Sequence, residues 1–231
     1  MPLKITSPDA KQLQRLLPGL PSEALEELAG TARQVTYRAG ETIMGEHERW
    51  SPAVVADGTL RLTIRANDGR EATLRLIGRG ATVGLVAMFQ PDYTPIVHER
   101  SMVAVERSTL VFFDSHTLMR LCRQYSEFVL YLLGQTVEWG GALADAAGRF
   151  AFMSVRQRVS GYLLNVATPE PSGGLVATIT QQQLADAIGS VREVVARTLH
   201  DLRSDGLVSV SRARVAILDR DGLMRTAFDV T

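Results

Sequence analysis

Short apolar runs alternate with turn-forming residues along positions 34–114. In residues 60–65 the even-numbered positions are apolar and the odd-numbered ones are Arg, Thr and Arg, which is the period of a strand with one buried face. Turn signals such as Asp57-Gly58 and Asn67-Asp68-Gly69 separate the runs. The pattern predicts a small antiparallel barrel or sandwich of about eight strands, preceded by a short helix over residues 22–32.

From Asp114 to about residue 153 the apolar residues recur every three or four positions, and Asp114 is a suitable N-cap for a long helix, with room for a short one before it. A helix with two apolar stripes needs two partners. We expect the first stripe to pack on the β domain and the second on another copy of the chain; burial within one subunit is the alternative. The first stripe is Leu118, Leu121, Tyr125, Phe128 and Leu132, and the second is Val129, Leu133, Val137, Gly140, Gly141 and Ala144.

Residues 154–231 show a third pattern. A helix, a loop over 168–174, a strand over 175–180, two helices within 181–203, β runs on both sides of 212–214 and a short helix from Asp221 are predicted in that order. This is the order of a winged helix-turn-helix. The expected fold class is α+β, with a β domain at 1–114, a dimerisation helix and hinge at 115–153, and a winged helix at 154–231.

The stretch TQQQLADAIGSVREVVARTLHDLR at 180–203 carries the candidate chemistry. Its expected anchors are Leu184, Ala185, Ile188, Val194, Val195 and Leu199, with Gly189 for a left-handed turn. Arg192, Glu193 and Arg197 then project from the outer face of the second helix, where a recognition helix meets base edges. Arginine binds guanine and glutamate accepts from cytosine, each pair contributing roughly 1–3 kcal/mol of discrimination.

A plain surface ion pair between Glu193 and Arg197, adding about 0.2–0.5 kcal/mol to helix stability, is the alternative interpretation. We favour DNA recognition because the anchors, the glycine and the following hairpin agree with it. Neighbouring polar residues are candidates for phosphate contacts, which position a protein without specifying sequence. They are Thr180, Gln181, Ser190, Arg212 and Arg214.

Composition narrows the class of function. The 231 residues include 25 basic and 25 acidic ones, so DNA binding depends on local rather than net charge. Cys122 is the only cysteine, which excludes an internal disulfide and an all-cysteine metal site within one chain. Without an apolar run of about eighteen residues or a signal peptide, a cytoplasmic protein with no membrane contact is expected. No catalytic grouping, nucleotide loop or metal cluster predicts an enzyme or a metal site.

The stretch at 179–208 resembles the cyclic-AMP receptor protein and FNR superfamily of bacterial transcription regulators, chiefly through Arg-Glu-x-x-x-Arg at 192, 193 and 197. The resemblance implies an N-terminal cyclic-nucleotide-binding-like β-roll, a long dimerisation helix and a C-terminal winged helix-turn-helix. It further implies a homodimer that reads inverted repeats with a TGTGA-like half-site. Such regulators commonly contact RNA polymerase, and the loop at 168–174 falls where an activating surface would lie.

The resemblance also assigns an effector pocket, in which the residues depart from the family pattern. The pocket positions are Gly84, Leu85, Arg100, Ser101, Leu143 and Ala144. Arg100 and Ser101 suit a phosphate, but Leu85 replaces the glutamate expected to bind ribose, and Leu143 and Ala144 replace the pair expected to bind adenine. Each lost partner costs roughly 1–3 kcal/mol, which disfavours cyclic AMP. Alternatively, Arg100 pairs with a carboxylate such as Glu99 or Asp92.

The cofactor stays unknown. His47 and His98 allow a haem hypothesis, but a lone histidine is more often a surface or packed residue. Cys122 in an apolar helical stripe is typical of a small buried hydrophobe rather than a redox switch. We favour control by an effector other than cyclic AMP, or constitutive activity. The alternative is a sensor of haem or an apolar ligand that acts through protein–protein contacts.

Overall fold

The structure, a computed structural model, describes residues 4–44, 51–65, 71–89, 99–171 and 173–228. Contacts within the chain divide it into two units. One unit comprises Met1–Ile64 and Leu74–Ala144, and the other comprises Arg65–Thr73 and Asp145–Thr231. Each unit contains its own apolar core, so each is described by itself below.

Two antiparallel sheets form the β domain, as the alternating pattern predicts. The strands are β1 Lys4–Thr6, β2 Arg33–Tyr37, β3 Thr42–Met44, β4 Ala53–Asp57, β5 Leu60–Arg65, β6 Glu71–Ile77, β7 Thr82–Val83, β8 Glu99–Ala104 and β9 Ser108–Phe112. The first sheet has the order β1-β2-β9-β4-β7 and the second β3-β8-β5-β6. Together with the helices, they confirm the α+β class.

Three helices accompany the first of these sheets: α1 Ala10–Leu16, α2 Ser22–Thr31 and α3 Leu85–Phe89. Helix α2 confirms the helix expected over 22–32. Five short elements, α1, α3, β1, β3 and β7, are additional to the prediction. The three strands have two or three residues and the two helices have seven and five, which is too short for a strand alternation or for more than about two helical turns.

One position in β5 departs from the expected alternation. Leu60 and Leu62 are buried as predicted, but Thr63, expected on the exposed face, is only 2% exposed. Its hydroxyl lies 3.0 Å from the hydroxyl of Ser101 on β8. A buried hydroxyl is stable when it is hydrogen-bonded, and sequence periodicity does not show that partner.

Helices α4, Ser115–Gln124, and α5, Ser126–Phe152, confirm a long helix preceded by a short one. Asp114 caps α4 by accepting a hydrogen bond from the backbone N–H of Thr117 at 2.7 Å. The first predicted stripe, called the inner stripe below, lies in the core beside the first sheet. Leu118, Leu121, Phe128 and Leu132 are buried and Tyr125 is half-buried. The first half of the two-stripe prediction is thereby confirmed.

The second unit is a winged helix. After α6 Val155–Val166 come β10 Thr168–Pro169, β11 Leu175–Ala177, α7 Gln181–Ile188, α8 Arg192–Ser204, β12 Val208–Ser211, β13 Arg214–Ile217 and α9 Arg220–Phe228. The small sheet has the order β10-β11-β13-β12. Two local predictions were wrong in detail: the loop expected at 168–174 begins with a paired strand, and the strand expected to reach residue 180 ends at Ala177.

Candidate nucleic-acid interface

The turn between α7 and α8 has the geometry that the sequence predicts. Leu184, Ala185 and Ile188 are buried on one face of α7. Gly189 ends this helix with φ 65° and ψ 49°, a left-handed conformation that favours glycine. A Cβ at Gly189 would lie 2.7 Å from the Phe150 ring, so the position lacks room for a side chain as well.

Helix α8 is anchored by Val195, Thr198, Leu199 and Leu202, all buried in the core of the second unit or beside it. Val194, expected among the anchors, is only half-buried. The buried positions recur every three or four residues, so the opposite face of α8 is directed to solvent. Its N-cap, Val191, supplies no side-chain hydrogen bond to the first turn. The N–H groups of that turn therefore lack a side-chain cap.

The three predicted reading residues lie on this exposed face. Arg192, Glu193 and Arg197 are all exposed. Among the residues that the structure describes, none of the three side chains makes a hydrogen bond or an ion pair, so the surface pair between Glu193 and Arg197 is not formed. Their polar atoms are consequently available to an external partner.

The wing is a hairpin of β12 and β13. Ser211 pairs with Arg214 in the strand register, so Arg212 and Ala213 form a two-residue turn. Ala213, the second residue of this turn, has φ 54°, a left-handed conformation that is uncommon for a residue other than glycine. Arg212 is exposed at the tip, which directs a cation away from the body of the second unit.

Arg214, a predicted phosphate contact, is already paired. Its Nη2 lies 2.5 Å from Oε2 of Glu170, in the turn between β10 and β11. Both side chains are partly exposed, at 45% and 33%, so the pair is solvent-screened and easily exchanged. A DNA phosphate would therefore bind Arg214 by displacing the carboxylate of Glu170.

The other phosphate candidates lie around α7. Thr180 is the N-cap of α7, and its hydroxyl accepts from the backbone N–H of Gln183 at 3.1 Å in a capping box. Gln181 and Ser190 are half-buried. Thr180 thus has a structural role that the sequence argument did not assign, although Thr followed three residues later by Gln is the signal for it.

The predicted effector-pocket residues Gly84 and Leu85 are more enclosed than the exposed side chains of α8. Gly84 has φ 75°, and a Cβ there would overlap the carbonyl oxygen of Ser51. Leu85, the first residue of α3, packs against the core rather than facing a polar ligand. The cleft that Leu85 lines together with Thr82, Phe128 and Leu132 has no room for a water molecule.

The remaining pocket positions do not line that cleft. Ser101 bonds Thr63, and Arg100 on β8 is half-buried and has an interaction of its own. Leu143 and Ala144 are exposed on α5 and do not line the cleft beside Leu85. The structure does not bring the six predicted positions together around that cleft.

The haem and redox hypotheses gain no support. His47, His98 and Asp92 lie outside the described residues. In the part of the chain that the structure describes, no group of three His, Cys, Asp or Glu side chains is placed to hold a metal ion. Burial raises the pKa of the Cys122 thiol, which disfavours the reactive thiolate. No helix in the same residues has the length and apolarity of a membrane span.

A winged helix with an exposed, unpaired Arg-Glu-Arg set defines a class, the DNA-binding transcription regulators. Comparison with known proteins agrees. Residues 157–226 match the Crp-like helix-turn-helix domain, and residues 34–125 match the cyclic nucleotide-binding domain. The chain belongs to the CRP/FNR family of transcription regulators.

Individual relatives cover most of the chain. The probable transcriptional regulator flp of Lacticaseibacillus casei is 30% identical over 173 residues, which are 74% of this chain and 76% of that protein. A CRP-like cAMP-activated global transcriptional regulator of Mycobacterium tuberculosis is 27% identical over 221 residues, 90% of this chain and 94% of its own. The crystal structure of a putative regulator of the crp/fnr family from Eubacterium rectale has the same fold, with a TM-score of 0.77 at 21% identity over 90% and 95% of the two chains. These relatives are regulators, not enzymes.

Proposed function

We propose that the protein is a homodimer that reads an inverted repeat with TGTGA-like half-sites through Arg192, Glu193 and Arg197. The observation that carries this proposal is the exposure of the three side chains, without protein partners among the described residues, on a helix anchored from behind. Two arginines supply bidentate donors for guanine, and the glutamate supplies an acceptor for a cytosine amino group. A duplex with G and C in each half-site matches this set.

The second predicted stripe of α5, called the outer stripe below, supports the homodimer. Its residues Val129, Leu133 and Val137 are 39%, 53% and 67% exposed in the single chain, and Leu143, which lies near the stripe, is 39% exposed. Such apolar positions on one helix face cost free energy in water and favour a second copy. At Gly140 and Gly141 a Cβ would meet no atom within 4 Å, so the intrachain packing does not require these glycines. Close approach of a partner helix does give them a reason.

Phosphate contacts position the reading residues. Arg212 at the wing tip suits this role directly, since it is exposed and unpaired among described residues. Arg214 contributes after it exchanges Glu170 for a phosphate. Thr180 and Gln181, at the start of α7, complete the proposed set together with Ser190. Ser190 lies two residues before the uncapped first turn of α8, whose N–H groups and helix dipole favour an anion.

We further propose that cyclic AMP is disfavoured as the effector. The Mycobacterium tuberculosis relative is described as cAMP-activated, and a solved relative from Xanthomonas campestris as c-di-GMP responsive. This chain has leucine and alanine at the positions that would bind the ribose and the base. We therefore propose a cytoplasmic regulator that is constitutively active or uses a different effector. RNA polymerase is the proposed partner of the turn at 168–174.

A selection from random duplexes tests the proposal. Purified protein is incubated with a random 30-base-pair library, and bound DNA is recovered and sequenced over several rounds. We expect an inverted repeat, and we expect Arg192→Ala and Arg197→Ala each to relax one half-site position. Recovery of unrelated sequences by the wild type would refute sequence-specific reading. If the wild type shifted no DNA but still bound a protein partner, it would instead be a sensor that acts through protein–protein contacts.

A further inference from the structure

One face of α5 carries three polar side chains at intervals of four residues: Tyr131, Gln135 and Trp139. We call this set the polar seam. The Tyr131 hydroxyl lies 3.2 Å from the carbonyl oxygen of Gly80, to which it can donate. Gln135 accepts from the backbone N–H of Thr82 at 3.1 Å, and the indole N–H of Trp139 donates to the carbonyl oxygen of Thr82 at 2.8 Å.

The seam attaches α5 to one short segment of backbone, residues 80–82. Residues four apart share a helix face, so the three bonds act along a single line. The Tyr131 hydroxyl also lies 3.0 Å from the carbonyl oxygen of Leu16. Burial, together with the charge of Glu138, raises the pKa of Tyr131, which keeps this hydroxyl protonated as a donor.

Trp139 has a second contact that depends on its ring. The guanidinium carbon of Arg75 lies 4.8 Å from the ring centroid, a cation–π distance. Glu138 is a second partner of this guanidinium, with Oε2 3.9 Å from Arg75 Nη2. Arg75 Nη1 is buried and has no hydrogen-bond partner among the described residues. The indole ring is therefore a main support for this cation.

The seam joins two stretches of chain that lie next to two of the three segments that the family resemblance assigns to the effector pocket. Trp139 precedes Leu143 by one helical turn, and Thr82 precedes Gly84 by two residues. The resemblance implies that an effector would lie against both stretches. Here the protein's own side chains connect them, and the neighbouring cleft at Leu85 has no room for a water molecule.

We propose that the polar seam replaces an effector, so that the ligand-free protein already forms the dimer that binds DNA. The inference rests on the proposed function. Tyr131, Gln135 and Trp139 are then positioning residues, since they touch no DNA. They act by fixing α5, whose outer stripe forms the dimer, against its own β domain.

Three single variants test the seam. Trp139→Phe keeps an aromatic ring and removes the indole N–H; Tyr131→Phe removes one hydroxyl; Gln135→Leu removes the acceptor. Tyr125→Phe is the matched control, because the Tyr125 hydroxyl has only the adjacent Gln124 amide as a described partner, at 3.1 Å. Dimer dissociation is measured by sedimentation and affinity by fluorescence anisotropy on the selected duplex, after circular dichroism has confirmed folding.

We expect each seam variant to weaken both dimerisation and DNA affinity by about three- to tenfold, the effect of one lost hydrogen bond. Tyr125→Phe should match the wild type. Native mass spectrometry should show that the DNA-competent wild-type dimer has the mass of two polypeptide chains and nothing more.

Two results would overturn the seam proposal: variants that dimerise and bind like the wild type, or a small molecule retained in the DNA-competent dimer. Failure of the proposed function gives a different result, because a wild type that does not read sequence would have the same DNA affinity as Arg192→Ala. In that case the sedimentation data still report whether the seam supports the dimer.

Discussion

The reading surface on α8 and the effector side of the β domain use polar atoms in opposite ways. On α8, Arg192, Glu193 and Arg197 are exposed and have no partner among the described residues. On the effector side, the Ser101 hydroxyl already bonds Thr63, and Leu85 packs into the core. A surface that is to bind a polar partner keeps its hydrogen-bonding groups available. By that criterion the proposed reading face of α8 is open to a polar partner, whereas Ser101 and Leu85 at the predicted effector pocket are already engaged within the protein.

The largest effect is expected from separating the two chains of the proposed homodimer. Leu133→Asp places a charge in the proposed dimer stripe, where burying it unpaired would cost several kcal/mol. We expect a monomer by sedimentation and a loss of more than about 100-fold in affinity for the inverted repeat. Arg123→Asp, which also adds an acidic side chain to an exposed position, is the control and should remain dimeric. An unchanged Leu133→Asp dimer would place the interface elsewhere.

Removing a reading side chain has the next largest effect. Arg192→Ala or Arg197→Ala should weaken binding to the selected duplex by about 1–3 kcal/mol, or roughly five- to 150-fold, because one base pair loses its bidentate donor. The measurement is fluorescence anisotropy at fixed salt. Arg203→Ala removes an equal charge from the last turn of the same helix and should cost far less. Equal losses in all three variants would indicate a purely electrostatic contact.

The turn of the reading domain allows a prediction about stability. Gly189→Ala forces a side chain into φ 65° and against the Phe150 ring, which should destabilise the protein by about 1–2 kcal/mol in urea unfolding. Gly161→Ala is the contrast, since its Cβ would meet only Ala227 at 3.9 Å within a helix. That change should stabilise the protein by about 0.5–1 kcal/mol. Two equal effects would mean that the turn geometry is unimportant.

Gly189 also illustrates what the sequence can predict. Gly189 follows a helical apolar pattern, so its role as a left-handed terminus was evident without coordinates. The pairing of Thr63 with Ser101 and of Arg214 with Glu170 was not, since each joins residues about forty apart whose types do not identify a partner. The buried face of α8 can be predicted because it depends on the local spacing of apolar residues. The hydrogen bond of Ser101 to Thr63 cannot, because it depends on tertiary contacts.

The polar seam shows the same limit. Tyr131, Gln135 and Trp139 are spaced as one helical face, but they interrupt the apolar stripe that defined the inner side of α5. Their partners are backbone groups of Gly80 and Thr82, which carry no signature in the sequence. Leu85 and Leu143, in contrast, were recognised as departures from the family pattern before their surroundings were known.

A smaller effect concerns the wing. Glu170→Gln removes the charge that holds Arg214, so the arginine becomes available to phosphate. We expect non-specific DNA affinity to rise about two- to threefold at low salt, with a steeper dependence on salt concentration. Asp205→Asn breaks the comparable Arg156–Asp205 pair, 2.5 Å between Nη2 and Oδ2, and serves as the control. A rise in both variants would reflect net charge alone.

The smallest expected effect is that of cyclic AMP. Because Leu85, Leu143 and Ala144 offer the ribose and the base no hydrogen bonds, millimolar cyclic AMP should change the affinity for the selected duplex by less than about twofold. The comparison is an anisotropy titration with and without the nucleotide. A tenfold gain would show that the effector end retains more of the family chemistry than its residues indicate.

We propose that α8 reads DNA sequence without help from an added effector. The most direct test is the ratio of dissociation constants of the ligand-free wild type for the selected inverted repeat and for the same duplex with both half-sites scrambled, at one physiological salt concentration. A ratio of about 1,000 or more is the result expected of specific recognition. Equal affinity for the two duplexes would contradict the account.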